Sequence, residues 1–109
     1  MRSVAKPKVG AQVVSDPDRA GHLAEILKAV AHPLRLRIIA LLCQEERSVN
    51  RSAELLEANQ AIVSQQLRIL RLHGLVEAER RDGLAVYRIL EPRLHQLVAC
   101  LEGCRLAPA

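Results

Sequence analysis

Asp82-Gly83 constrains this chain more than any other pair of residues. A type I′ turn needs positive φ at both central positions, and this dipeptide supplies it, so the pair predicts a two-residue β-hairpin. The flanking stretch, LVEAERRDGLAVYRIL, changes from helical spacing to alternation. Setting Arg81 opposite Leu84 brings Ala78 opposite Tyr87, Val76 opposite Ile89 and Glu77 opposite Arg88. Apolar residues then share one face and an opposite-charge pair occupies the other, so the register is self-consistent.

The remainder reads as helices. With 109 residues, half of them hydrophobic, the chain suits one domain with a modest core. It has no Trp, no Phe and one Tyr, so that core must be Leu, Ile, Val and Ala, which leans helical. Residues 1–15 hold Pro, Gly, Lys and Arg without periodicity and are expected to be a flexible basic arm. Residues 16–109 form the folded domain. Asp16 with Pro17 starts a first helix carrying Leu23, Ile26, Leu27 and Val30 at helical spacing. Pro33 starts a second, with Leu34, Ile38, Leu41 and Leu42 on its core side and Cys43 in its last turn. Ser48 caps a short third helix ending near Glu57. Asn59 caps a fourth, which Gly74 ends. After the hairpin, a last helix from Pro92 carries Leu94, Leu97, Val98 and Leu101 on one side.

The predicted fold is therefore mainly α with a small β-hairpin, in the order helix, helix, helix, helix, hairpin, helix. Two short helices around a tight Glu57-Ala58-Asn59 turn, followed by a two-stranded ribbon, make a winged helix-turn-helix pattern. The second helix of such a motif fits the DNA major groove. Val63, Leu67 and Leu70 fix that helix to the core and turn Gln60, Ala61, Ser64, Gln65 and Arg68 outward. Gln pairs with adenine, Arg with guanine or phosphate, and Ser with either bases or phosphates. The amides of the helix N-terminus add a phosphate site. Arg80 and Arg81 at the hairpin tip would meet the backbone. A solvated polar face is the bland alternative for the helix alone; the basic hairpin beside it favours double-stranded DNA.

Other classes fare worse. The formal charge of +4 permits nucleic-acid binding without establishing it. No apolar run reaches the ~20 residues of a membrane span, and the N-terminus lacks a signal core, so a cytoplasmic location without membrane contact is expected. There is no CxxC pair, Gly-rich phosphate loop or Ser-His-Asp set, which argues against an enzyme, a dithiol redox catalyst included. A winged helix used for protein contacts remains as a second alternative, and salt separates it from DNA binding.

Three segments, LKAVAHPLRLRIIALL, VNRSAELLEANQAIVSQQLRILRLHGLV and RRDGLAVYRI, together resemble the ArsR/SmtB family of bacterial metal- and stress-responsive repressors. The resemblance runs over roughly residues 20 to 106. It implies a homodimer on a partly palindromic operator, with the first and last helices at the dimer interface through Leu23, Ile26, Leu27, Leu94, Leu97 and Leu101. The same residues would also serve as intramolecular core.

Family members differ in what they sense. The arsenic-type site places cysteines just before and within the third helix, where this chain reads RSVNRSAEL and has none. The zinc-type site starts the last helix with Asp and His, where Pro92 and Leu94 stand and His95 is one residue out of phase. His22, His32 and His73 read as surface, N-cap and helix-end residues. The three cysteines remain. A sulfide- and oxidant-responsive subgroup bridges a cysteine of the second helix to one of the last. Against it, Cys43 falls one turn late and Cys104 about one turn early, displacements that compensate if the helices run antiparallel. A dithiol or persulfide switch, a thiolate site for As(III) or another thiophilic ion on Cys43, Cys100 and Cys104, and plain packing of cysteine all stay open. No cofactor is required by any of these readings.

Overall fold

The computed structural model describes residues 8–105. Gly10, at φ +84°, turns the chain into a short helix, α1 (Ala11–Ser15). Part of the expected arm is thus helical, while Arg2 and Lys6 lie outside the described residues. Asp16 then ends α1 and caps α2 (Pro17–Val30), its carboxylate accepting from the Asp18 and Arg19 amides at 3.1 Å each. His32 caps α3 (Pro33–Gln44) through Nδ1, which accepts from the Arg35 amide at 3.4 Å. These caps satisfy first-turn donors that have no partner within their helix.

A third strand, beyond the two of the hairpin, follows α3. Arg47 and Ser48 form a two-residue strand, β1 (Arg47–Ser48), whose second residue also caps α4 (Val49–Leu56). The Ser48 hydroxyl accepts from the Arg51 amide at 3.2 Å. α5 (Gln60–Leu72) comes next, then β2 (Val76–Arg81), β3 (Leu84–Ile89) and α6 (Arg93–Glu102). The sheet has three antiparallel strands in the order β1-β3-β2 rather than two. Strand β1 sets Arg47 against Tyr87 and Ser48 against Val86. Nothing about two polar residues in a row announces a strand; pairing with β3 creates it.

The hairpin itself has the predicted register throughout, including Ala78 opposite Tyr87 and Glu77 opposite Arg88. Asp82 and Gly83 hold φ of +50° and +80°, as the tight turn demands. Glu77 and Arg88 form the expected ion pair.

Burial centres on α3 and α5. Ile38, Ile39, Val63, Leu67 and Leu70 are each 0% exposed, and Leu75 and Val76 continue the same cluster into β2. Leu42, Val30, Leu94 and Val98 close it from α3, α2 and α6. Each such aliphatic side chain contributes roughly 1.5–3 kcal/mol. Among the described residues no helix is long and apolar enough to cross a membrane.

Two leucines on opposite sides of α5 test this placement. Leu67→Ala should lower the unfolding free energy in urea by about 2–5 kcal/mol. Leu72→Ala, at a position 80% exposed, should stay within about 0.5 kcal/mol of the parent. Equal losses at both would mean that α5 is rotated from the orientation described.

Candidate nucleic-acid interface

The helix-turn-helix is set by backbone geometry on either side of its turn. Helix α4 ends on Glu57, which takes the left-handed conformation at φ +52°. The Ala58 amide closes back onto the Ala53 carbonyl at 2.9 Å. Arg37 of α3 donates from Nη2 to the Leu56 carbonyl at 3.0 Å, satisfying an acceptor freed at the helix end. Asn59 then caps α5 by accepting from the Ala61 and Ile62 amides at 2.8 and 3.2 Å. The Asn59 carboxamide thus occupies two of the helix N-terminal amides that a phosphate would use. At the other end, Gly74 at φ +72° lets the Leu75 amide reach the Leu70 carbonyl at 3.1 Å, a Schellman closure.

With Val63, Leu67 and Leu70 fully buried, the opposite side of α5 must face solvent. Gln60, Ala61, Gln65 and Arg68 are exposed and Ser64 is half-buried. Gln66, unremarked in the sequence, turns inward, where its Oε1 accepts from Arg35 Nη1 at 3.0 Å.

The two arginines of the hairpin tip differ. Arg80 donates once, to the Gly83 carbonyl at 3.0 Å, and is otherwise exposed. Arg81 pairs with Glu46, just beyond α3, at 2.9 Å and with Glu79 at 3.0 Å. The hydrogen bond and charge of Arg81 hold the Glu79 carboxyl below its ordinary range. Hydrogen bonds to Glu79 and Glu46 likewise raise Arg81. Among the described residues, Arg80 is the one of the pair without a carboxylate partner.

The residues expected at a subunit interface fall into two groups. Leu23 and Ile26 of α2 line one groove with Leu94 and Leu97 of α6. Leu94 is only 3% exposed and belongs to the core of the single chain, whereas Leu27 and Leu101 stand 55% and 45% exposed.

All three thiols are free. Cys43 is half-buried at the end of α3, and Cys100 and Cys104 are exposed. Burial pushes the Cys43 thiol above its ordinary pKa. Among the described residues, no three His, Cys, Asp or Glu side chains gather where they could hold a metal ion. A trigonal set of Cys43, Cys100 and Cys104 within one chain is therefore not assembled here.

Comparison with known proteins fits this geometry. The family described as "Bacterial regulatory protein, arsR family" matches residues 32–78, from the cap of α3 into β2. The biofilm growth-associated repressor of Xylella fastidiosa (strain Temecula1) is 37% identical over 83 residues, 76% of this chain and 73% of that protein. The crystal structure of the transcriptional repressor BigR from Xylella fastidiosa superposes with a TM-score of 0.76 at 35% identity, covering 84% of this chain and 94% of that one. A homodimeric winged helix-turn-helix DNA-binding domain from Mycobacterium bovis superposes with a TM-score of 0.71 at 30% identity, covering 91% of this chain and 87% of that chain.

The thiols should react in order of accessibility. A deficit of iodoacetamide at about pH 8, with the products resolved by mass spectrometry, should label Cys100 and Cys104 before Cys43, because the thiolate is the reacting form and burial disfavours it. Labelling of Cys43 first would contradict its placement.

Proposed function

The chain belongs to the ArsR family of bacterial regulatory proteins, and we propose that it is a homodimeric repressor whose operator affinity is modulated through its cysteines. One observation carries the DNA reading: the exposed polar face of α5 lies directly opposite its buried stripe and is accompanied by a basic wing. Gln65 and Arg68 would read base edges, Gln60, Ala61 and Ser64 would fit the helix to the groove, and Arg80 would meet a phosphate. Arg81 would approach the same backbone while held by Glu46 and Glu79.

The relatives named as repressors and the homodimeric neighbour support the repressor and dimer parts of this reading. A single recognition helix reads few bases, so two are needed, about a helical turn apart. The α2–α6 groove with Leu23, Ile26 and Leu97, together with exposed Leu27 and Leu101, is the apolar surface suited to a second copy.

Cysteine chemistry is the favoured signal. Cys43 lies on α3, which carries the core against α5, and Cys100 and Cys104 lie on or just beyond α6, which packs on α3. Joining Cys43 to Cys104 as a disulfide removes two protons and two electrons, which a persulfide or hydroperoxide accepts. The bond would tie α3 to the end of α6 and alter the spacing of the two recognition helices. Operator affinity would fall by the difference in binding between the two arrangements.

The test is fluorescence anisotropy on DNA from upstream of the chain's own gene. Affinity should fall steeply with salt, since phosphate contacts release counterions. Arg80→Ala should reduce the salt slope by about 2, roughly one for each subunit's wing, and Gln65→Ala should relax preference among sequences with the slope kept. Treating the reduced protein with an organic persulfide should release the DNA, and a reductant should restore binding. Salt-independent binding would sink the DNA reading. Persulfide-insensitive binding would remove only the thiol switch.

A further inference from the structure

We propose that Arg35 is a positioning residue for DNA recognition, the polar link through which helix α2 sets the location of the recognition helix α5. The inference rests on the homodimeric repressor reading above.

Arg35 is the third residue of α3, placed there by Pro33 and by the His32 cap that accepts its amide. From that position its guanidinium reaches two other helices. Nε donates to the Ala29 carbonyl, one residue from the end of α2, at 2.6 Å. Nη1 donates to Gln66 Oε1 on α5 at 3.0 Å. Both bonds are partly buried. Charge-assisted bonds of this kind are about twice as strong as neutral ones, and a planar guanidinium fixes direction as well as distance. The Ala29 carbonyl is among those a helix C-terminus leaves unpaired, where a cation is also favoured by the helix dipole.

Gln66 is the informative partner. It lies at i+3 from Val63 and i−4 from Leu70, on the edge of the stripe that buries α5, and its helix carries Gln65 and Arg68 on the outward side. Aliphatic packing alone resists separation of two helices but only weakly resists a small slide or rotation. A directional bond at the edge of the stripe resists both. Because α2 also bears Leu23, Ile26 and Leu27, the Ala29–Arg35–Gln66 chain joins the proposed dimer layer to the reading face. It would thus help to fix how far apart the two recognition helices of a dimer stand.

Spacing selectivity is a readout that general destabilisation would not move. A duplex would be selected from a random-sequence pool by the wild-type dimer, then remade with one base pair inserted or deleted between the half-sites. Wild type should bind both altered duplexes at least tenfold more weakly, on the order of one mismatched contact or more. Arg35→Met and Gln66→Met should each lose about tenfold on the selected duplex, the scale of a charged hydrogen bond. They should bind the three spacings with nearly equal affinity, and their affinity and salt slope on unrelated DNA should match wild type. The double variant should lose no more than Arg35→Met alone, because that substitution already removes the bond that Gln66→Met breaks.

Folded variants that keep wild-type spacing discrimination would overturn the proposal. Should Arg35→Met not fold, Gln66→Met decides alone, since it leaves the Arg35–Ala29 bond in place. A wild-type protein that enriches no sequence from the pool would instead overturn the repressor reading, and this inference with it.

Discussion

Burial of Val63, Leu67 and Leu70 in one cluster with Ile38 and Ile39 is the interaction on which the rest of the structure depends. All five are fully buried, and an aliphatic core built from so few types of side chain has little else to orient it. A helix that commits one stripe to such a core has no freedom over which stripe it presents outward. The polar face of α5 is therefore a consequence of packing. Substituting the outward residues changes what is contacted without changing how the helix sits.

Polar ties then refine what the aliphatic contacts establish. Arg37 closes the end of α4, Arg35 reaches α2 and α5, and Arg81 holds the wing to the segment after α3. Each of these cations is partly spent inside the protein. A net charge of +4 accordingly says little about where DNA would lie. The distinction between Arg80 and Arg81 shows why: neighbours in sequence at the same hairpin tip, one faces solvent and the other is held by two carboxylates. Their exposed pairs contribute little to stability, so Arg81 is better understood as orienting the wing than as stabilising the fold.

How much of this could be read from the sequence depended on the range of the interaction. The caps at Asp16, His32, Ser48 and Asn59 and the turn at Asp82-Gly83 are local, and each formed where its residue type predicted. The hairpin register followed because the turn fixes the pairing and alternation confirms it. Helix α1 escaped because five residues with no apolar stripe carry no periodic signal. Strand β1 escaped because its two residues acquire their conformation from β3. The Arg35–Gln66 bond spans 31 residues and joins two side chains that would be ordinary on any helix surface. Leu94 suits either an interface or the intramolecular core by its spacing and is core in the single chain, since helical spacing identifies an apolar face but not what covers it.

Placement of α5 as the reading element in a two-fold assembly is the claim that everything else extends. Methylation interference on the bound operator examines it directly, because dimethyl sulfate modifies guanine N7 in the major groove and adenine N3 in the minor groove. N7 methylation should block binding in two clusters with centres about 10 base pairs apart. Interference confined to adenine N3, or a single N7 cluster with no counterpart, would contradict it.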